Sequence, residues 1–585
     1  MTRRGDISAV VRSATDQAAG GMSGQPSRRA MLRYAGLAGA SLFMGSTMLE
    51  ACSSSAPGSS GASTGKLVGG TLRYGVLGSI VDTLNPILTV DVPELHYLMY
   101  DRLTYFNAKL GVVLGMAQSR DVDEASGTVT YKLRPGQRFT DGKPVSASDV
   151  AFTFQLAKRL DQGFASFYLN DFVSATAADS STVVVKFTAI PALDPGVLLP
   201  ILPQHLWEGM STAEVEKFPN SKPVGSGPFI FQQYTPNQNI TLKRNPHWWG
   251  WKSYPGTLQT VVFTSFQNAE TMAEALVSSQ LDVTTDLPPT VWKSLQGKPS
   301  ISAPQYPSLL FDHLGMNVYA DPKDPSKPNP KSKGNPLLLD VRVRQAVNLA
   351  IDKTPLVKVA LEGTGQPGSL ILMPAMLGFF EVPAANSLNY DPARANSILD
   401  AAGYKMGSSG IREAPNGAKL SFRLVASTVD TVLADLGQLV IPMLKKVGIG
   451  ISQFTTVEDA TLANLVFSEA NWDMYIWTWQ SNPDPTFMLS VPLTNSIGSL
   501  NDTYFSDHKY NALVAAEASQ PDQAKREQLI REAALYYYEH AAYCVLVYPN
   551  RLQAHRTDTL SGWQNVKNGV VENWTIESYL TVGGH

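Results

Sequence analysis

Cysteine is nearly absent from this chain: 585 residues hold two, Cys52 and Cys544. So few exclude a disulfide framework and any cysteine-built zinc site. The eight histidines lie far apart as His96, His205, His247, His313, His508, His540, His555 and His585, and none forms a His-Glu-x-x-His pair. A helix-borne zinc hydrolase is therefore not encoded. No Gly-x-Ser-x-Gly elbow is present to carry a strained nucleophilic serine. Gly363-Thr364-Gly365-Gln366-Pro367-Gly368 fits the dinucleotide fingerprint in letters only. It follows a helical stretch, and Pro367 removes an N–H donor that a phosphate cradle needs, so a turn is expected. Nothing resembles a basic phosphate-binding surface, and net charge is −3. Nucleic acid is not an expected partner. No cofactor and no metal are expected either.

What is present begins near the N-terminus. Arg28-Arg29 precede a short apolar run from Ala35 to Met48, followed by Leu49-Glu50-Ala51-Cys52. A bilayer-spanning helix needs about 20 apolar residues, and this run is shorter and rich in Gly and Ser. It reads as the apolar region of a signal peptide with a positive flank. The arginine pair points to the twin-arginine route. The stretch ending at Cys52 resembles a bacterial lipobox, whose cysteine becomes the lipidated N-terminus. Glu50 departs from that pattern, which prefers a small or apolar residue there. Residues 52–65 are nearly all Ser, Gly, Ala, Thr and Pro, a tether reaching on the order of 20 Å. A single acyl chain holds a protein only reversibly, so stable anchoring would need more than one. Residues 1–51 carry six arginines against three acids, so removing that +3 leaves −6 on 52–585. With Cys52 acylated, Cys544 lacks a partner. Its setting, Tyr543-Cys544-Val545-Leu546-Val547-Tyr548, reads as a buried strand with an inert thiol.

The mature chain mixes α and β without internal repeats. Thr71–Val76, Val129–Leu133 and Val183–Phe187 alternate at the strand period. Asp340 is placed to cap a helix running to Asp352, with Val343, Val347, Ala350 and Ile351 on one face. Pro392–Ala402 reads as a second helix, stopped by Gly403. Pro521–Tyr538 reads as a third, with Lys525, Arg526 and Glu527 on its solvated side. The Pro- and Lys-rich stretch from Asp321 to Asn335 reads as an exposed loop.

Several blocks, in order, resemble one family. Tyr131-Lys132-Leu133-Arg134-Pro135-Gly136-Gln137-Arg138-Phe139-Thr140-Asp141-Gly142-Lys143-Pro144-Val145-Ser146-Ala147-Ser148-Asp149-Val150 is similar to the signature of the family 5 extracellular solute-binding proteins of ABC importers, the oligopeptide, dipeptide and nickel binders. Asn85-Pro86, Leu202–Trp207, Gly225-Ser226-Gly227-Pro228-Phe229, Arg244-Asn245-Pro246, Val341-Arg342-Val343-Arg344-Gln345-Ala346 with Ile351-Asp352, and Ala401–Tyr404 resemble further blocks of it. The likeness runs from about Gly70 to Trp563. Physically the signature is scaffold: Pro135-Gly136 and Asp141-Gly142 are turn pairs, and Ser146 or Ser148 can cap the helix that starts near Asp149. Arg342 and Arg344 read as surface or inter-element ion-pair residues.

The resemblance implies an α/β fold of two periplasmic-binding-protein-like lobes on a two-strand hinge, with a subdomain inserted in the first. The implied segments are a signal peptide (1–51), tether (52–65), first lobe (66–107, 224–316 and 547–585), inserted subdomain (108–223) and second lobe (317–546). The crossings are expected near Leu314–Val318 and Val545–Pro549. Two crossings let a few residues absorb a rotation while the lobes stay rigid.

The ligand signal lies in Trp472-Asp473-Met474-Tyr475-Ile476-Trp477-Thr478-Trp479. Its period of two sends Tyr475, Trp477 and Trp479 to one face. Gln480-Ser481-Asn482-Pro483-Asp484-Pro485 then breaks the strand. The resemblance implies that this strand and loop line the cleft between the lobes. Trp477, Trp479, Gln480, Ser481 and Asn482 are thus the expected ligand-binding residues. The bland reading is a pair of core tryptophans beside a turn. In the family an Asp commonly holds a peptide's ammonium group; here its position falls on Gln480 or Ser481, and the loop is one residue longer. Asp484 matches a later Asp-Pro, usually structural. A buried ammonium without counter-charge costs several kcal/mol. Either another acid serves, or the ligand has no free amine, which favours blocked peptides and neutral sugars. The expected function is that of a lipid-anchored, monomeric, extracytoplasmic binding protein. It would take peptides or peptide-like solutes, or as the alternative a neutral oligosaccharide, and pass them to ABC permease subunits. An extracellular hydrolase is the competing class, disfavoured by the missing catalytic motifs.

Overall fold

The computed structural model describes residues 70–584, apart from 82, 89–93, 161–167, 255, 429–430, 568 and 571–574. The arginine pair, Cys52 and the tether lie outside the described residues.

Three sheets organise the chain. In the first, seven strands run in the order Ile301–Ser302, Ala554–Arg556, Val283–Thr284, Gly70–Leu77, Leu258–Phe266, Asn239–Arg244 and Phe229–Thr235. The second orders Gln305–Pro307, Tyr543–Leu552, Leu310–Met316, Met474–Gln480, Ser421–Ser427 and Gly450–Val457, with Gly365–Pro367 also pairing Tyr543–Leu552. A four-stranded sheet of Ala117–Asp123, Thr128–Leu133, Thr182–Phe187 and Phe172–Ala177 falls within the 108–223 segment. There the alternation is direct: Val183, Val185 and Phe187 are buried while Lys186 is exposed.

The chain passes between the two large sheets at residues 303–304 and again at Gln553. These passages run side by side: Ser302 pairs with His555 in the first sheet and Gln305 with Leu552 in the second. Between them the Gln553 amide donates to the Pro304 carbonyl at 3.2 Å. The crossings expected at 314–318 and 545–549 are thereby corrected. Leu310–Met316 and Tyr543–Leu552 are neighbouring strands inside the second sheet, with Leu314 opposite Cys544. Residues 305–316 and 547–552 therefore join the second lobe. Cys544 is a buried free thiol on that strand.

The signature block is a scaffold joint. Gly136 and Gly142 take φ values of 77° and 89° at its two turns. The helix Ala147–Leu160 opens with Ser146, whose hydroxyl donates to Asp149 Oδ2 at 2.7 Å. Asp149 Oδ1 accepts the Gln204 amide at 2.9 Å, tying the helix to the Leu202–Trp207 block. Gly225 and Gly227 are close-approach glycines: a Cβ on Gly225 would lie 2.1 Å from the Met99 carbonyl oxygen.

Helix ends follow their capping residues. Asp340 accepts from the Arg342 amide and starts Val341–Ala350, which ends two residues short of the expected Asp352; Asp352 instead caps the next helix, Lys353–Val359. Arg342 pairs with Asp340 at the surface. Arg344 is buried and, among the described residues, donates to the carbonyls of Leu338, Leu339 and His540 and pairs with no carboxylate, a correction to its reading as an ion-pair residue. Arg526 likewise leaves the solvated side assigned to it. It is 6 % exposed and held by Asp484 and Glu517.

Asp101, fully buried, accepts the indole N–H groups of Trp248 and Trp249 at 3.1 and 2.6 Å. Burial pushes its carboxyl up to about 7, against the opposing pull of those donors. The folded chain thus retains a proton that the unfolded chain has released. Its stabilising contribution is complete below the unfolded value and fades as pH rises through about 7. Asp101→Asn, which does not titrate, should gain stability relative to wild type between about pH 5 and pH 8. Urea midpoints of both proteins at the two pH values test this; a pH-independent difference would show that Asp101 is ionised throughout.

Candidate functional site

The strand Met474–Gln480 lies centrally in the second sheet, antiparallel to Leu310–Met316 and parallel to Ser421–Ser427. Its first residues are buried and its last are not: burial falls from Met474, Tyr475 and Ile476 through half-buried Trp477, Thr478 and Trp479 to exposed Gln480. That gradient carries the chain out of the core toward the crossing. Gln480 stands opposite Leu310, and the Ser481 amide donates to the Leu309 carbonyl at 2.9 Å, five residues past Pro304. The 481–484 loop therefore sits where the two lobes meet.

The alternate residues form one aromatic face. Tyr475 and Trp477 meet edge to face with centroids 6.2 Å apart, and Phe467 flanks Trp477 at 6.1 Å. Phe467 is carried by a π-helical turn, Asn464–Glu469, closed by Ala470 at φ 47°. Trp472 is wholly buried in the core behind this face.

Behind Trp479 lies a buried carboxylate. Asp502, 1 % exposed, accepts the Trp479 indole N–H at 2.9 Å through Oδ2 and the Tyr543 hydroxyl through Oδ1. His313 Nε2 stands 3.7 Å from the same carboxylate and 3.2 Å from the Tyr475 hydroxyl. Burial lowers the His313 pKa, with Asp502 opposing it. Burial, with Asp502 next, raises those of Tyr475 and Tyr543, so both phenols keep their protons and can donate. Asp502 is invisible to a linear reading because its partners are 23, 41 and 189 residues away. The only local hint is a run of polar residues, Asn501-Asp502-Thr503.

The five expected residues divide as follows. Trp477 and Trp479 share the aromatic face, and Gln480 is exposed at its open end. Ser481 is buried, and its hydroxyl oxygen finds no hydrogen-bond partner among the described residues. Asn482, fully buried, points toward the inserted subdomain and donates to the Tyr168 hydroxyl at 2.6 Å. Its Oδ1 accepts the Asp484 amide at 2.7 Å. Asp484 caps the helix Pro485–Ser490 and binds Arg526, which is a structural role. No group of three or more His, Cys, Asp or Glu side chains is arranged to hold a metal among the described residues. Nor is any described helix long and apolar enough to cross a membrane.

Two sheet-centred lobes joined by paired crossing strands define a two-lobed binding-protein fold. The family described as bacterial extracellular solute-binding proteins, family 5 (middle), matches residues 111–499. The chain belongs to that family, whose members are transport binding proteins and not enzymes. It is 26 % identical to the oligopeptide-binding protein AppA of Bacillus subtilis over 540 residues, covering 88 % of this chain and 93 % of that one. It is 24 % identical to the dipeptide-binding protein of Escherichia coli K12 over 503 residues, or 81 % and 86 % of the two chains. The solved structure of AppA from Bacillus subtilis with a nonapeptide superposes with a TM-score of 0.69 at 23 % identity, spanning 88 % of this chain and 99 % of that one.

Proposed function

We propose that this chain is the substrate-binding lipoprotein of an ABC importer, capturing peptides or peptide-like solutes between its lobes and handing them to permease subunits. The observation that supports the reading is the burial gradient along Met474–Gln480, which leaves two indoles half-buried ahead of a polar loop whose Asn482 bonds Tyr168 of the inserted subdomain. Trp477 and Trp479 supply apolar walls. Gln480 and the unpartnered Ser481 hydroxyl supply hydrogen bonds, a division of labour general to ligand clefts. Family relatives that bind oligopeptides and dipeptides support peptide as the class. A neutral oligosaccharide is the second reading, since indole faces beside amide and hydroxyl groups also suit a sugar ring. Asn482 belongs to the same loop, and its bond to Tyr168 couples the loop to the inserted subdomain. The protein acts as a monomer and without a cofactor.

A solute touching both lobes shifts the open–closed equilibrium by its differential affinity for the two states. Small-angle scattering on protein stripped of solute, then on the same protein saturated with a peptide digest, should show a smaller radius of gyration in the loaded sample. An unchanged radius would contradict closure.

Export and anchoring rest on the order of Arg28-Arg29, apolar run, Cys52 and tether. Cys52→Ala should appear in the medium or as uncleaved precursor in cell fractions. Processed protein still on the membrane would defeat the lipobox assignment.

A further inference from the structure

Gln480 and Ser481 bring no charge to the open end of the aromatic strand, yet a carboxylate, Asp502, lies one side chain deeper, bound to the Trp479 indole N–H. We propose that Asp502 converts Trp479 into the cation-accepting element of the cleft, so that the ligand places a positively charged group, an ammonium in a peptide, on the indole face. This rests on the reading of Trp479 as a cleft residue.

The argument is electrostatic. Asp502 is 1 % exposed and accepts from an indole and a phenol; its one contact at ion-pair range among the described residues is His313, whose pKa burial lowers. A buried carboxylate ordinarily has a cationic partner. Here its Oδ2 takes the Trp479 N–H at 2.9 Å, with the Tyr543 hydroxyl oxygen 3.0 Å from the same nitrogen. A hydrogen bond from indole N–H to an anion pushes electron density into the ring, and such polarisation runs along hydrogen-bonded groups in a low-dielectric interior. The ring face, already the best aromatic acceptor for a cation, becomes a better one. Trp479 is half-buried while Asp502 is not accessible, so the ring is the surface through which the charge can act. Bonds to Asp502 and the edge contact with Phe487, centroids 6.3 Å apart, fix the ring's orientation.

Trialanine and N-acetyl-trialanine, titrated calorimetrically, read this directly. Wild type should bind the free-amine peptide at least about tenfold more tightly, as expected of a desolvated cation–π contact. Asp502→Asn preserves an acceptor oxygen for the indole but removes the charge. It should shrink the preference to about threefold or less and leave the acetylated peptide's affinity nearly unchanged. Tyr543→Phe removes a competing donor, keeps the charge and should retain the preference. If Asp502→Asn does not fold, Trp479→Phe, which keeps a ring and loses the N–H, should show the same reduced preference. Equal wild-type affinities, or a preference intact in whichever of these charge- or N–H-removing variants folds, would overturn the proposal. Failure of the underlying reading looks different: Trp479→Ala would then bind both peptides as wild type does.

Discussion

Arg526→Leu should lower the stability of the second lobe by about 3–5 kcal/mol, the cost of leaving buried charge unpaired. Arg526 Nη2 lies 2.7 Å from Asp484 Oδ2 and 2.9 Å from Thr486 Oγ1, while Nε lies 2.9 Å from Glu517 Oε1. Both acids are fully buried. One guanidinium therefore serves two carboxylates, and burial beside Asp484 pushes Glu517 up to about 7 despite the arginine. Removing the arginine strands both charges and loosens Asp484, the residue that ends the 481–484 loop and caps the next helix. The deficit should shrink in acid, where Glu517 takes a proton. Arg526→Lys, which keeps the charge and loses the fork, should fall between. Denaturant unfolding of the three proteins decides it. A loss below about 1 kcal/mol for Arg526→Leu would mean that water reaches the cluster.

Trp479→Ala should cost roughly 2 kcal/mol or more in ligand affinity, the scale of a desolvated aromatic anchor, about thirtyfold. Trp477→Ala should weaken binding too. Its aromatic neighbours among the described residues are Tyr475 and Phe467, and truncating it takes no donor from Asp502. Truncating Trp479 also removes the indole bond to Asp502, so some destabilisation will accompany it. The ratio separates the two roles. A cleft residue loses affinity at a temperature where the variant is still folded; a core residue loses melting temperature and keeps affinity. If either variant behaves as the second, that tryptophan belongs to the core.

Features set by neighbours in sequence were legible. The turn glycines of the signature, the Asp340 cap and the alternation around Val183 and Tyr475 each depend on a few consecutive residues. Features set by distant pairing were not. The crossings were misplaced because Leu310–Met316 and Tyr543–Leu552 look like any apolar strands; only their register with each other shows them on one side of the hinge. Arg526 sits among charged residues on a long helix, so its linear setting predicted solvent, and Asp484 and Glu517 arrive from 42 and 9 residues away. Arg344 was misread for a similar reason: its partners are main-chain carbonyls, which carry no side-chain signal. The aromatic strand was found from its own period, but Asp502, which sets the charge behind Trp479, was not.

Capture of a solute between the lobes is tested most directly by what the protein holds. Native mass spectrometry of the purified chain, followed by release and tandem sequencing of the bound species, should recover intact peptides near one per protein from wild type and far less from Trp479→Ala. Recovery of no solute from wild type, or of peptides only as cleaved fragments after incubation, would contradict a binding protein for peptides.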